Sequence, residues 1–236
     1  MRYTILAIVF AGVVGPGWLF AGTSREDVQN QIQEKARIQQ LTVEQQNGNV
    51  VLQGQAALLK DKEEAAKIAG KAFKSPVVNQ ITLAPSNRTD ADINVDVDAA
   101  IQRAAVRYNV FNSIYTRVVN GHVILTGDVR DAYLVDKAQK AAMTVPGVQE
   151  VVNQIQILPA STQDDRIRLA VYRRLANNGS LYRYFLGAQP SISIIVRNSR
   201  VELQGAVNSE ADRVVAGFVV GQMFGILSVE NHLRVG

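Results

Sequence analysis

Apolar and polar residues alternate in three short stretches of the chain, each interrupted by a turn sequence. In the first stretch, Asn-Gly separates the alternating runs 41–46 and 49–55. This dipeptide favours a hairpin because a type I′ turn needs positive φ at both central residues. A glycine closes the second run of each stretch, seven residues after the turn asparagine. The turn and closing residues are Asn47, Gly48 and Gly54, then Asn120, Gly121 and Gly127, then Asn198 and Gly205.

The third turn has Ser199 in place of glycine, so we expect it to be less favourable. A closing glycine indicates either a bulge or a close backbone approach by the next helix, and valine there should clash. A second landmark, an asparagine in an apolar strand pattern, follows each closing glycine by 25 or 26 residues. These landmark asparagines are Asn79, Asn153 and Asn231, within predicted strands 77–83, 148–158 and 228–235.

Apolar residues at helical spacing lie before and after each hairpin. We predict helices at 26–40, 97–108 and 165–176 before the hairpins, and at 58–74, 131–144 and 209–224 after them. The fold class is therefore α+β, with three tandem αββαβ modules at 25–86, 95–159 and 164–236. In each module we expect a small mixed three-stranded sheet covered by two helices. Linkers are predicted near 84–89 and 160–163.

The first 21 residues have the layout of a secretory signal peptide. Arg2 precedes an apolar run at 5–14, and a Gly-Pro-Gly break at 15–17 leads to a possible cleavage site after Ala21. An uncleaved anchor is the alternative, although a spanning helix needs about twenty apolar residues without such a break. The chain has no cysteine, which excludes disulfides, a lipidated cysteine and thiolate metal sites.

An αββαβ unit with Asn-Gly-x-Val-x-Leu-x-Gly in its hairpin and a late Val-x-Asn strand resembles the BON (bacterial OsmY and nodulation) domain. The resemblance covers residues 25–236, and the third copy departs from it by an insertion at 177–190 and by Ser199. It implies export to the periplasm or envelope, no catalytic activity and no cofactor. It also implies association with phospholipid or envelope proteins, often in osmotic or envelope stress.

Two features suggest metal chemistry, and neither fits a known site. Residues 90–98 place oxygen ligands at alternate positions, as at the start of a calcium loop, but Val95 and Ile101 stand where that loop needs Gly and Glu. We interpret this stretch as an acidic linker before an N-capped helix. His122 and His232 lie in different repeats without ligands at metal spacing. We therefore predict no metal site and no catalytic residues.

A formal net charge of +4 is too small to indicate a nucleic-acid-binding protein. The charge is uneven, however, because the third module has nine Arg and no Lys against six acidic residues. Its arginines alternate with aromatic residues in a composition suited to anionic headgroups or to a protein interface. An ordinary Arg-rich surface is the alternative. The candidate contact residues are Arg173, Arg174, Tyr182, Arg183, Tyr184 and Phe185.

The last predicted helix is apolar on almost every side, which indicates burial against the neighbouring repeat, an oligomer interface or a lipid-facing surface. Glycines at four-residue spacing would let a second backbone approach one face. The candidate contacts here are Gly217, Phe218, Gly221, Met223, Phe224 and Gly225.

We expect a non-enzymatic envelope protein that contacts anionic phospholipid or an envelope protein through its third module. The alternatives are a structural subunit of a homo-oligomer or larger envelope assembly, and a chaperone-like binder of outer-membrane proteins.

Overall fold

Three helix-strand-strand-helix-strand units follow one another along the chain in the computed structural model. The structure describes residues 24–104, 110–187 and 190–236. The predicted signal peptide, residues 1–21, lies outside the described residues. The predicted class, α+β with three tandem modules, is confirmed.

The elements of each unit appear in the predicted order. The first module contains α1 (Arg25–Ala36), β1 (Gln39–Gln46), β2 (Asn49–Ala56), α2 (Leu59–Phe73) and β3 (Val77–Leu83). The second contains α3 (Asp90–Ala104), β4 (Ser113–Val119), β5 (His122–Val129), α4 (Tyr133–Ala142), β6 (Glu150–Asn153) and β7 (Gln156–Ile157). The third contains α5 (Thr162–Ala176), a 3₁₀ helix (Tyr182–Phe185), β8 (Ile192–Arg197), β9 (Arg200–Val207), α6 (Glu210–Gly221) and β10 (Ser228–Val235).

The sheet of each module has a central strand paired antiparallel to the strand before it and parallel to the strand after it. The strand orders are β1-β2-β3, β4-β5-β6 and β8-β9-β10, with the short β7 also pairing with β5. A helix connects each parallel pair, as such a crossover requires. Alternating residues of the central strand face a core formed with the two helices, such as Val123, Leu125 and Val129 of β5.

Each module has its own apolar core, but neighbouring modules also contribute to those cores. Leu59, at the start of α2, packs in the core of the second module, and Val110 packs in the core of the third. The Lys60 amide donates to the Met143 carbonyl at 3.0 Å. Because no side chain caps the start of α2, this bond satisfies one of the amides that a helix leaves free at its N-terminus.

Several predicted helix boundaries are wrong, two of them by four residues or more. Helix α3 begins at Asp90 instead of Val97, so residues 90–98 belong to the helix and are not a linker. The Thr89 hydroxyl accepts from the Asp92 amide at 3.2 Å and so begins the helix. Helix α1 ends at Ala36 instead of Gln40, because Arg37 takes a left-handed conformation with φ of 31°.

The other differences lie in the later modules. The predicted strand 148–158 is interrupted between β6 and β7, where the Gln154 amide donates to the Leu125 carbonyl at 2.8 Å. Helix α6 ends at Gly221, three residues earlier than predicted. Gly225 therefore lies beyond the helix, and the three glycines do not form one helical stripe.

Candidate functional site

The hairpin turns have the backbone conformation that the sequence predicts. Both central residues have positive φ in each turn, including Ser199 with φ of 60°. In the second module the Asp90 carboxylate accepts from the amides of Asn120 and Gly121, at 2.7 and 2.9 Å. Asp164 accepts in the same way from the Asn198 and Ser199 amides. In the second and third modules the turn is thus joined to the first helix by an acidic residue whose role was not predicted from the sequence.

The closing glycines meet the backbone of the preceding strand, not the next helix. A Cβ at Gly127 would overlap the Ser113 carbonyl oxygen, and a Cβ at Gly205 would overlap that of Ser191. At Gly54 the Gln39 carbonyl oxygen would be 2.8 Å away, at the site of a register shift between β1 and β2. All three glycines have positive φ, so both the space and the conformation restrict these positions.

Each landmark asparagine joins the last strand to the second helix. The side-chain amide donates to a backbone carbonyl of that helix, and the side-chain oxygen accepts from the amide two residues later. The accepting carbonyls belong to Lys62, Val135 and Arg213. These three residues therefore occupy the same helix position, and they give a register for comparing α2, α4 and α6.

That register shows how α6 differs from its counterparts. One residue after the bonded carbonyl, the first two modules have Glu63 and Asp136, whereas the third has Val214. Five residues after it, they have Lys67 and Lys140, whereas the third has Phe218. These positions are exposed in all three helices. The third module therefore replaces charged side chains with apolar ones on the solvent-facing side of this helix.

Val214 and Phe218 are 57% and 66% exposed, and the segment after the helix adds Phe224 and Leu227 at 104% and 74%. We refer to these four side chains as the α6 apolar surface. Val214 and Leu227 were not among the predicted contacts, and the comparison with α2 and α4 is the signal that could have identified Val214. Val214 and Phe218 lie one helical turn apart on α6, and exposed apolar residues at neighbouring positions are candidates for a contact site.

The three glycines predicted to let a second backbone approach α6 do not share one neighbour. A Cβ at Gly217 would lie 2.8 Å from the side-chain nitrogen of the landmark Asn231, so this glycine faces its own sheet. Gly221 has no atom near its added Cβ, and Gly225 lies in the following turn. Among the described residues, only Gly225 has an atom of another helix near its added Cβ, the side-chain nitrogen of Gln163 of α5 at 3.8 Å. Met223 is partly buried against the third core.

The arginine-aromatic insertion largely makes contacts within its own module. Tyr184 and Phe185 are buried, with exposures of 4% and 9%, so their predicted role as surface contacts is wrong. The Asp212 carboxylate accepts from the Tyr184 hydroxyl at 2.8 Å and from Arg183 at 2.6 Å. Hydrogen bonds from Ser209, Tyr184 and Arg183 together hold the pKa of Asp212 below its usual value. This carboxylate was missed because an isolated Asp in a sequence does not show its partners.

Arg173, Arg174 and Tyr182 remain exposed. The two arginines line an open groove of about 640 Å³ together with Val219 and Met223 of the α6 region. Neither arginine forms an ion pair with any other described residue. The structure thus brings two uncompensated guanidinium groups close to the α6 helix.

Polar contacts fix the third module against the second. Asp165 forms ion pairs with Arg130 of the second module at 3.1 Å and with the buried Arg168 at 2.7 Å. Burial raises the pKa of Asp165, but hydrogen bonds from both arginines outweigh it and leave the pKa lowered. The Tyr115 hydroxyl donates to Gln204 at 2.9 Å, and Arg197 pairs with Asp128. Several arginines of the third module therefore serve in structural contacts.

The backbone also joins these two modules. The Ile194 amide of β8 donates to the Val110 carbonyl at 2.7 Å, and the Ser193 hydroxyl donates to the Asn112 carbonyl at 3.0 Å. Strand β8 is an edge of its sheet, so the segment before β4 covers an edge that would otherwise be free.

The two histidines lie in separate modules, each beside an exposed glutamate. His122 lies 3.0 Å from Glu150, and His232 lies 3.3 Å from Glu230, with all four side chains exposed. Within the described residues, no group of three or more His or acidic side chains is placed to hold a metal ion.

Comparisons with known proteins identify the repeat. The BON domain model matches residues 22–85, 89–159 and 163–236. Two solved structures of CdsD, a structural protein of the Type III secretion system of Chlamydia trachomatis, are similar at 14% identity and a TM-score of 0.26. One match covers 89% of this chain and 91% of that chain, and the other, to the C-terminal domain, covers 89% and 96%. No curated protein matches. No helix in the described ranges is long and apolar enough to cross a membrane.

Proposed function

The chain belongs to the BON domain family, and on that premise we propose that its third module binds the surface of an anionic phospholipid bilayer. Proteins of this family are typically periplasmic, are linked to phospholipid binding and are generally non-enzymatic. Two observations support the proposal: the α6 apolar surface, and a groove that Arg173 and Arg174, which form no ion pair with other described residues, line together with Val219 and Met223 of the α6 region. A periplasmic location and export by the N-terminal segment are part of the proposal.

The α6 apolar surface supplies the first of two favourable contributions to the free energy of membrane binding. Burying a Phe or Leu side chain contributes about 1.5–3 kcal/mol relative to leaving it in water. Phe218, Phe224 and Leu227 are each at least 66% exposed. Insertion of two of these side chains at the bilayer interface would contribute about 3–6 kcal/mol, roughly a hundredfold to ten-thousandfold gain in binding, before the cost of restricting the protein.

The arginines supply the second term. A basic side chain near an anionic membrane surface contributes about 1 kcal/mol, and the contribution falls within a Debye length. Arg173 and Arg174 line the groove that includes Val219 and Met223. Apolar insertion and electrostatic attraction together give reversible anchoring that neither term provides alone.

Flotation of the full-length protein with vesicles tests this proposal. We expect co-flotation with vesicles rich in phosphatidylglycerol, and much less with phosphatidylcholine alone or at high salt. The variant Val214→Glu/Phe218→Lys gives α6 the residues that α2 has at the same positions, so it should fold and lose flotation.

Val78→Glu is the matched control, because Val78 is an exposed apolar residue on β3 of the first module. It should float like the unmodified protein. Equal flotation of the α6 variant and the control would refute the proposed contact, and equal binding to both lipids would refute the role of charge.

A further inference from the structure

A groove of about 840 Å³ lies between the first and second modules. We propose that it binds a single-chain anionic amphiphile, a molecule with one alkyl chain and a carboxylate or phosphate head. The site is separate from the α6 apolar surface, and it concerns a monomeric ligand instead of a bilayer. Helix α2 forms one wall, while α3 and α4 form the other.

The floor of the groove is apolar and fixed. It contains Ala100 and Ala104 of α3, with Ala141 and Met143 from the end of α4. Small alanine side chains leave room at the floor for an alkyl chain. The bond from the Lys60 amide to the Met143 carbonyl joins the two walls at one point. This volume is within the usual range of roughly 300–1,000 Å³ for small-molecule sites.

The rim carries an excess of positive charge. Among the described lining residues, five side chains are cationic and three are acidic, which leaves a net charge of +2. The cations are Lys60, Lys67, Arg103, Lys137 and Lys140, and the acids are Glu63, Glu64 and Asp136. Lys67 pairs with Glu64 at 3.3 Å. The other four cations form no ion pair within the described part of the chain, so they are available to an anionic head.

The placement of these charges distinguishes the groove from ordinary solvated helix surface. Lys67 and Lys140 occupy the same helix position in two modules, and both line this groove from different walls. An apolar floor below a cationic rim matches the two parts of an anionic amphiphile, because each part meets its own kind of surface. An inorganic anion has no alkyl chain for the floor, and a cationic surfactant has no negative charge for the rim.

Isothermal titration calorimetry of the full-length protein tests this site with dodecyl phosphate below its micelle concentration. We expect saturable binding at one site. Inorganic phosphate and dodecyltrimethylammonium should show no comparable binding, because each lacks one of the two required parts. Binding of inorganic phosphate as tight as that of dodecyl phosphate would overturn the role of the alkyl chain, and equal binding of the cationic surfactant would overturn the role of charge.

Three variants test whether dodecyl phosphate binds in this groove. Lys140→Glu changes the rim by two charges and should weaken binding roughly tenfold. Thr144→Trp adds bulk at an exposed position that lines the groove, and it should abolish binding. Lys71→Glu, an equal charge change on α2 outside the groove lining, should leave binding unchanged. If the first two variants retain the unmodified affinity while unfolding at the same urea concentration, the placement is wrong.

Two variants distinguish a failure of this proposal from a failure of the proposed bilayer contact. Val214→Glu/Phe218→Lys should lose vesicle flotation but retain dodecyl phosphate binding. Lys140→Glu should show the opposite behaviour.

Discussion

The hydroxyl of Tyr184 lies 2.8 Å from the carboxylate of Asp212 and joins the insertion of the third module to the first turn of α6. The same hydroxyl accepts from the Asn208 amide at 2.8 Å. Through these bonds the 3₁₀ helix holds the start of the helix that carries the α6 apolar surface. The insertion therefore acts as a support for the proposed contact, not as the contact itself.

Replacing Tyr184 with Phe removes these two hydrogen bonds and a third, accepted from Arg183 at 3.2 Å, while keeping the ring in the core. We expect the free energy of unfolding to fall by about 1–2 kcal/mol, since a buried amide and a carboxylate each lose a partner. Urea denaturation measures this change. Tyr182→Phe, at a 51% exposed position of the same 3₁₀ helix, should have little effect, and an equally large loss there would contradict the assignment.

The lowered pKa of Asp212 predicts a pH dependence of stability. The folded pKa is below the ordinary value of 3.8, so the charged carboxylate stabilises the fold above that value. This stabilisation is lost as the pH falls through the folded pKa. Asp212→Asn should therefore lower the urea midpoint at pH 7, and the difference from the unmodified protein should shrink below pH 3.8.

The exposed Asp136 provides the control for that measurement, because it occupies α4 without a comparable set of hydrogen bonds. At pH 7, Asp136→Asn should lower the urea midpoint much less than Asp212→Asn does. A difference for Asp212→Asn that stays constant down to pH 2 would contradict the prediction.

Ser199 should be replaceable by glycine with a gain in stability. Its φ of 60° lies in the left-handed region, which costs a residue with a side chain about 1–2 kcal/mol relative to glycine. The greater freedom of glycine in the unfolded chain offsets part of that gain. We expect Ser199→Gly to stabilise the protein by about 0.5–1 kcal/mol in thermal or urea unfolding.

Gly48→Ser is the reciprocal change, at a position with φ of 80° and no atom within 4 Å of an added Cβ. It should destabilise the protein by a similar amount. The same sign for both changes would show that the backbone conformation does not determine their effects.

Asn153 should be required for joining β6 to α4. Its side chain donates to the Val135 carbonyl at 3.0 Å and accepts from the Ile155 amide at 3.2 Å. We expect Asn153→Ala to destabilise the protein by about 1–3 kcal/mol, measured by urea unfolding. The adjacent exposed Gln154 is the control, and its replacement with Ala should cost little.

Local patterns predicted the repeat well and the surface poorly. The bounds of β3 and β10 agree with the predicted strands, because alternation and a fixed landmark determine a short strand. The start of α3 was missed because the alternating acids of 90–98 suggested oxygen ligands. Ile93 and Val97, four residues apart and both buried, give the helical spacing that decides this stretch.

The direction in which a side chain points was harder to predict. Tyr182 and Tyr184 are two residues apart in one insertion, yet only Tyr184 is buried. Composition cannot separate them, since the partner of Tyr184 is Asp212, 28 residues away. In α6, by contrast, alignment of the three closing glycines would have matched Val214 and Phe218 with charged residues of the other modules from the sequence alone.

The bond from Ile194 to Val110 has a consequence for handling this protein in pieces. A fragment that begins at α5 would present β8 with unpaired backbone groups along a strand containing Ile192, Ile194, Ile195 and Val196. Such an edge recruits strands from other molecules. The third module studied alone should therefore tend to self-associate and precipitate, and a soluble fragment should retain the residues from Val110 onward.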